Sequence, residues 1–394
     1  MKKTLFIICI IVNVNIQCPW SAKLSPQHIL KLTQYINDPS ISEVEMPFND
    51  HLSLSMSREY GFQTYKLIYK TKLANSVEIV SDMGTFCLIN QKVKNGQRVL
   101  LTSHEPSPYS PDLHSIQRKK HLYSLILHSS KAVCENNNYQ HHLGGFLFNN
   151  YFGGFTRFSP EKEFAVSHLC SFSYGAASNN PYKLHTNVSL NYLMRKELID
   201  RKTEIHTPGL KLAFFVSNRP NIPDEYRALK IPTNIGKAEA LYSSQFHIVI
   251  ENCCEIDYFS EKIIEPILNK SIPIYIGCPN IGEYFDKRGM FIANNVDDLI
   301  RIINNLTPET YQKMSQYIEI NYQKALKMKN ENQLIKTIKS QYSTNSEQSN
   351  HLILITKFSG HLKMLAHILS ADASFDFIEF IDNFNKILQN HNFK

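Results

Sequence analysis

The sequence predicts an α/β protein whose C-terminal half is a doubly wound domain. Three observations point there. Leu210–Val216, LKLAFFV, is an uninterrupted apolar run, the pattern of a strand covered on both faces in a parallel sheet. Phe246–Ile250 and Ile272–Ile276 are two more such runs, and between them Ile263, Ile264, Ile267 and Leu268 recur on one face of a helix. Strand, loop, helix and strand fit in about 30 residues, the size of a βαβ crossover.

Taken from the start, Met1–Cys18 reads MKKTLFIICIIVNVNIQC. Lys2 and Lys3 precede an apolar stretch broken by Asn13, a pattern similar to a secretory signal. The stretch is short for a membrane span, which needs about 20 apolar residues. Residues 1–20 are therefore expected to be a signal or membrane anchor, with a first strand of the fold as the other reading. No later apolar run is long enough to cross a bilayer, so the rest is expected to be soluble. The segment 21–175 reads as short strands at Tyr65–Lys72, Ser76–Asp82, Arg98–Thr102, Leu122–Ser129 and Glu163–Leu169. Turn-rich separators divide them: Lys94-Asn-Gly, the proline-serine stretch at 106–111, and Asn136-Asn-Asn. The glycine-aromatic stretch from Gly144 to Phe155 reads as a twisted hairpin, or as a loop over a site.

Residues 176–209 turn helical and polar around Leu190, Leu193, Leu198 and Ile199, a connecting helix. After Ile272–Ile276 come a short strand at Gly289–Ala293 and a helix at Asp297–Asn305 capped by Asp297 or Asp298. A long helix then runs from Pro308, in its first turn, to about Lys329. Tyr342–Asn350 is polar and reads as a linker, and residues to Lys394 show apolar positions at helical spacing. The alternation of strands and helices after 210 is the signature of a doubly wound sheet.

Composition narrows the function. The 394 residues carry 42 basic and 35 acidic side chains, net +7, with 43% hydrophobic and 20% charged residues. Such a chain buries a sizeable core, which excludes a disordered, collagen-like or polytopic membrane protein. A mild positive balance suits a nucleotide or an anionic surface without demanding either, and no clustered Lys/Arg face supports nucleic-acid binding. The eight cysteines form no C-x-x-C pair and no zinc spacing is present, so no metal site is expected. There is no Gly-x-Gly-x-x-Gly and no Gly-Lys-Ser/Thr loop, which disfavours dinucleotide oxidoreductases and P-loop enzymes.

In an open parallel sheet ligands bind beyond the carboxyl ends of the strands, where the loop 251–259 and the start of the next helix fall. Ser260 can cap that helix, and its N-terminus is a natural seat for phosphate. Lys262 lies in the first turn, where a cation opposes the helix dipole unless an anion is near. Glu261 can accept hydrogen bonds from sugar hydroxyls, or be there because carboxylates favour helix starts.

The run from Phe246 to Phe285, FHIVIENCCEIDYFSEKIIEPILNKSIPIYIGCPNIGEYF, resembles the donor-binding region of the α-1,3-fucosyltransferases, glycosyltransferase family 10. The matching positions are Glu251-Asn252, Tyr258 with Ser260-Glu261-Lys262-Ile263, and Pro273-Ile-Tyr275 with Gly277. Less specifically, Phe215-Val-Ser-Asn218 is similar to the family's strand ending in Ser-Asn, and Lys237 to a lysine common before the strand at 246. The resemblance covers about 210–325.

That resemblance implies a GT-B fold, two Rossmann-like domains facing a central cleft, and inverting transfer of fucose from GDP-fucose to a glycan hydroxyl. It places Asn252, Tyr258, Glu261 and Lys262 on the nucleotide-sugar donor, with Lys262 stabilising the diphosphate leaving group. Arg227, with Arg219 as the other candidate, would neutralise phosphate. Glu105, with His104 as the other candidate, would be the base at the end of the strand Arg98–Thr102. No cofactor is required, with a divalent metal at most a stimulant. The expected domains are 1–20, an acceptor-side domain at 21–185, a donor domain at 186–340, and a linker with packing helices at 341–394. The partners are a nucleotide-sugar and a glycan acceptor, without nucleic acid. The expected location is membrane-associated: a Golgi-type lumen in a eukaryote, the cytoplasmic face in a bacterium. A shortened 218–237 segment, Cys253-Cys254 and Ile276 depart from the family pattern, which leaves another nucleotide-sugar or a carbohydrate-binding relative without turnover as alternatives.

Overall fold

The structure is a computed structural model, and it describes residues 25–48, 50–59, 62–71, 76–81, 96–101, 122–128, 139–141, 161–170, 191–217, 224–232, 236–330, 350–356, 380–381, 383–386 and 388. The chain divides into two compact units, the first holding most strands of an eight-stranded sheet, whose last residues at 127–128 and 139–141 fall in the second, and the second holding a five-stranded sheet.

The first unit opens with helix α1, Pro26–Asn37. Ser25 caps it, its Oγ accepting from the His28 amide at 3.2 Å, and Pro26 fills the first turn, where its missing N–H costs nothing. Strands β1 (Glu43–Pro47), β2 (Leu52–Glu59) and β3 (Phe62–Thr71) follow as an antiparallel meander. Leu52, Leu54 and Met56 alternate along β2 as buried apolar residues. The sheet continues through β4 (Ser76–Ser81), β5 (Gly96–Leu101), β6 (Leu125–His128) and β7 (Tyr139–His141). Between β3 and β4 lies β13, Asn350–Thr356, antiparallel to β3 and parallel to β4. Phe380 and Phe384 are buried and meet the rings of Phe48 and Tyr65 edge-on.

Two features here differ from the sequence reading. α1, β1 and β2 fall in a stretch without predicted elements, although Ser25-Pro26 is a helix-start signal. Residues 350–356 form a strand where helical packing is expected, because HLILIT is β-branched and apolar and pairs on both sides. The glycine-aromatic stretch 144–155, the proline-serine turn, the linker at 342–349 and residues 1–20 lie outside the described residues.

The second unit holds β8 (Glu163–Cys170), α2 (Tyr192–Asp200), β9 (Lys211–Val216), α3 (Lys237–Tyr242), β10 (Ser244–Ile250), α4 (Glu261–Leu268), β11 (Ile272–Ile276), β12 (Phe291–Ile292), α5 (Val296–Asn304), α6 (Pro308–Lys313) and α7 (Ser315–Asn330). Its five strands pair entirely in parallel in the order β12-β11-β10-β8-β9. This is the doubly wound sheet predicted above. Phe246, Ile248 and Ile250 of β10, with Ile272, Ile274 and Ile276 of β11, pack against Leu198 of α2 and Val296, Leu299, Ile300 and Ile303 of α5. Val249 and Tyr275 on the opposite face meet Ile263, Ile264 and Ile267 of α4 and Ala325 of α7. Each of these fully buried aliphatic side chains contributes about 1.5–3 kcal/mol relative to exposure.

Three details differ from the sequence reading. β8, grouped with the N-terminal strands, pairs with both β9 and β10, so the crossover β8–α2–β9 begins this sheet. α5 is capped by Asn295, whose Oδ1 accepts from the Asp298 amide at 2.8 Å, not by either aspartate. The long helix is interrupted at Met314, which separates α6 from α7.

Candidate active site at the sheet's switch point

The strand order reverses between β8 and β10, so the connections leaving these two strands go to opposite faces and part at their carboxyl ends. The loop 251–260 occupies that place. Glu251 continues the ladder, its amide donating to the Ile276 carbonyl at 2.9 Å. Its carboxylate is fully buried and accepts from the Ser260 amide at 2.9 Å and the Ser260 hydroxyl at 2.6 Å. One side chain thereby closes the loop onto its own start. Asp257 turns the chain midway at φ 63°, a left-handed conformation that Asp tolerates better than most residues. It is held by Asn280, whose amide donates to the Asp257 carboxylate at 2.8 Å, and by the Tyr284 hydroxyl at 2.7 Å.

Ser260 then caps α4, its hydroxyl accepting from the Lys262 amide at 3.3 Å. With that N–H taken, and the Ile263 amide donating to the Ser260 carbonyl, the helix start offers an anion more dipole than free donors. The Lys262 ammonium sits 3.0 Å from the Glu261 carboxylate, 3.1 Å from the Ser260 hydroxyl and 3.9 Å from the buried Glu251 carboxylate. Its charge against the helix dipole is therefore answered from within the site. Burial works against that ammonium but is outweighed by Glu261 and Glu251, which hold its pKa above the ordinary lysine value. Burial pushes the Glu251 carboxyl above the usual carboxylate range despite the opposing pull of Lys262.

Gly277 follows β11 at the same end. A Cβ there would stand 2.6 Å from Glu251 Cγ and inside contact with the Tyr275 hydroxyl, so the close approach of β11's end to the loop requires glycine. The Tyr275 hydroxyl accepts from the Cys278 amide at 2.8 Å, and burial, reinforced by Glu251, raises its pKa well above that of a free tyrosine.

From α2, on the other side of the switch point, Arg195 reaches in. It is 2% exposed, and its guanidinium donates to the Ile250 carbonyl and, at 2.9 Å, to Asn252 Oδ1.

The structure thus gathers Asn252, Glu261 and Lys262 at one strand end, with Tyr258 buried in the same loop. Arg227 lies on a 3-10 turn at Asp224–Leu229, whose Tyr226 packs against Cys170 and Val216 at the carboxyl ends of β8 and β9, and its exposed guanidinium pairs with Asp224 at 2.7 Å. Lys237 pairs with Glu265 of α4 at 3.3 Å. Glu105, His104 and Arg219 lie outside the described residues. Sequence reasoning missed Arg195, although Asn191, Arg195 and Leu198 share one helical face and so mark it as inward-facing. Among the described residues no group of three or more His, Cys, Asp or Glu side chains is gathered as a metal site, and no helix is long and apolar enough to cross a membrane.

No protein-family model matches the chain. Over 58 residues it is 34% identical to a fucosyltransferase-like protein of Arabidopsis thaliana. That match takes in 15% of this chain and 11% of the relative, so the chain spans about a tenth of the length of the curated relative it matches. Among solved structures it is similar to a crystal structure of an alpha1,3-fucosyltransferase, at 16% identity over 69% of this chain and 79% of that one, with a TM-score of 0.41. The alpha1,3-fucosyltransferase with GDP-fucose gives 16% identity over 68% and 91%, with a TM-score of 0.38. The structure with GDP gives 16% identity over 68% and 78%, with a TM-score of 0.37.

Proposed function

We propose that the protein is an inverting glycosyltransferase of GT-B type that moves fucose from GDP-fucose to a glycan hydroxyl. The observation that carries this is the gathering of Asn252, Ser260, Glu261 and Lys262 around a buried Glu251 at the switch point of a doubly wound sheet, in a stretch whose sequence resembles a nucleotide-sugar site. In the reaction an acceptor oxygen bonds to the anomeric carbon as the bond from that carbon to the β-phosphate oxygen breaks. Lys262 and the dipole of α4 stabilise the departing GDP, Glu261 receives sugar hydroxyls, and Glu105 takes the acceptor's proton. Leaving-group stabilisation is then electrostatic and supplied by the protein, so a divalent metal is not needed. We place the enzyme at a membrane through residues 1–20, on the lumenal side of the Golgi or the cytoplasmic side of a bacterial membrane.

The test is a titration with GDP, UDP, CDP and their sugars, followed by GDP release over a panel of glycans. GDP-fucose binding with transfer supports the proposal, and preference for a uridine or cytidine sugar replaces the donor. Glu105→Gln should bind GDP-fucose as wild type does and lose transfer, and normal turnover would remove Glu105 as the base. The shortened segment between Asn218 and Lys237 favours one second reading, a carbohydrate-binding relative that holds donor without turnover. Donor binding with no GDP released over the panel would establish that reading instead.

A further inference from the structure

We propose that Arg195 is a positioning residue that orients Asn252 so that the donor meets an amide N–H at the end of β10. This rests on the reading of the switch point as the donor site.

The argument is one of donors and acceptors. A guanidinium has N–H groups and no acceptor, so the atom of Asn252 that faces it at 2.9 Å must be Oδ1. The amide cannot flip while Arg195 stays. Whatever its other end meets, it meets as a donor, which matches phosphate oxygens and sugar hydroxyls and mismatches a purely donating group. The backbone is fixed from the same helix, since the amide of Asn191, the residue before α2, donates to the Asn252 carbonyl at 2.8 Å. Arg195 also donates to the Ile250 carbonyl through Nε at 3.1 Å, so one planar fork bridges the last residue of β10 and the side chain two residues on. Lysine cannot make both bonds with that geometry. Arg195 as a whole is 2% exposed, so this bridge is internal structure and not a direct phosphate contact. Its partner Asn252 directly follows Glu251, whose carboxylate lies 3.9 Å from the Lys262 ammonium, which places the bridge beside the candidate site.

The test uses the full chain, GDP-fucose and GDP as probes, calorimetric titration for affinity and thermal unfolding for integrity. Asn252→Asp preserves shape and gives Arg195 an anionic partner, but it turns the far end from donor to acceptor. It should keep or raise the melting temperature and weaken GDP-fucose at least tenfold. Arg195→Lys should weaken GDP-fucose about five- to tenfold in the wild-type background and cause no further loss when Asn252 is already alanine, because the effect passes through that side chain. Unchanged affinity in Asn252→Asp, or full additivity of Arg195→Lys with Asn252→Ala, would overturn the positioning role while leaving the donor site in place. Wild-type protein that binds neither GDP nor GDP-fucose would overturn the donor reading and this inference with it.

Discussion

Replacing Gly277 by alanine tests how tightly the loop 251–260 is tied to the end of β11. The added methyl would lie 2.6 Å from Glu251 Cγ, about 1 Å inside ordinary van der Waals contact, and would also strike the Tyr275 hydroxyl. Neither neighbour is a flexible surface group. Glu251 is fully buried and bonded to Ser260, and Tyr275 is 1% exposed with its hydroxyl bonded to Cys278. Overpacking of this kind costs about 1–3 kcal/mol, and a weakened Glu251–Ser260 hydrogen bond adds about 0.5–1.5 kcal/mol. The expected total is about 1.5–4.5 kcal/mol, or roughly 3–18 °C in the transition of a unit of this size. Scanning calorimetry reads that shift. GDP titration should show at least a tenfold loss, since Glu251 positions Ser260 and, through it, Lys262. In a Glu251→Ala background one of the two clashes is gone, and Gly277→Ala should cost about 1 kcal/mol less. A melting temperature within about 1 °C of wild type, with unaltered GDP affinity, would refute the reasoning.

Lys262→Ala should weaken GDP at least tenfold by titration, and retained affinity would remove its role. The same variant should lose stability relative to wild type as pH rises from 5 to 8. Without the ammonium, the buried Glu251 carboxyl rises further above its unfolded value, and a raised carboxyl contributes stability that is present at low pH and lost as it ionises. Denaturant midpoints at the two pH values measure this, and a pH-independent difference would contradict it. Lys162 is depressed to about 7 by burial, with its ammonium bonded to the Tyr242 carbonyl and the Ser271 hydroxyl. An unfolded lysine keeps its proton to about 10.4, so above pH 7 the unfolded chain binds more protons and this group adds stability as pH rises. Lys162→Met should flatten that rise between pH 7 and 8.5, by at most roughly 1.4 kcal/mol per pH unit, and an unchanged slope in urea titrations would exclude the assignment.

How much was legible depended on the kind of order involved. β9, β10, α4 and β11 were readable because apolar runs and a 3.6-residue period report burial directly. The first sheet was not, since β13 derives its strand character from two neighbours remote in sequence, and no local pattern announces that pairing. β8 was seen as a strand but assigned to the wrong sheet, because strand propensity carries no information about partners. At the site, Lys262 and Glu261 were found from helix-start chemistry and a motif. Arg195 and the enclosure of Glu251 were not, since both depend on how the end of one crossover meets the next.

β13 has a consequence for assembly. Its His351 amide bonds to a Ser76 hydroxyl 275 residues away in sequence, within a seam that joins the antiparallel meander to β4. Synthesis from the N-terminus therefore delivers both banks of this seam long before the piece that bridges them. Until it arrives, β3 and β4 each present an unpaired backbone edge, the kind of surface that recruits stray strands. Nascent chains halted before residue 350 should consequently depend on chaperones, whereas the parallel sheet of the second unit has all five of its strands already made.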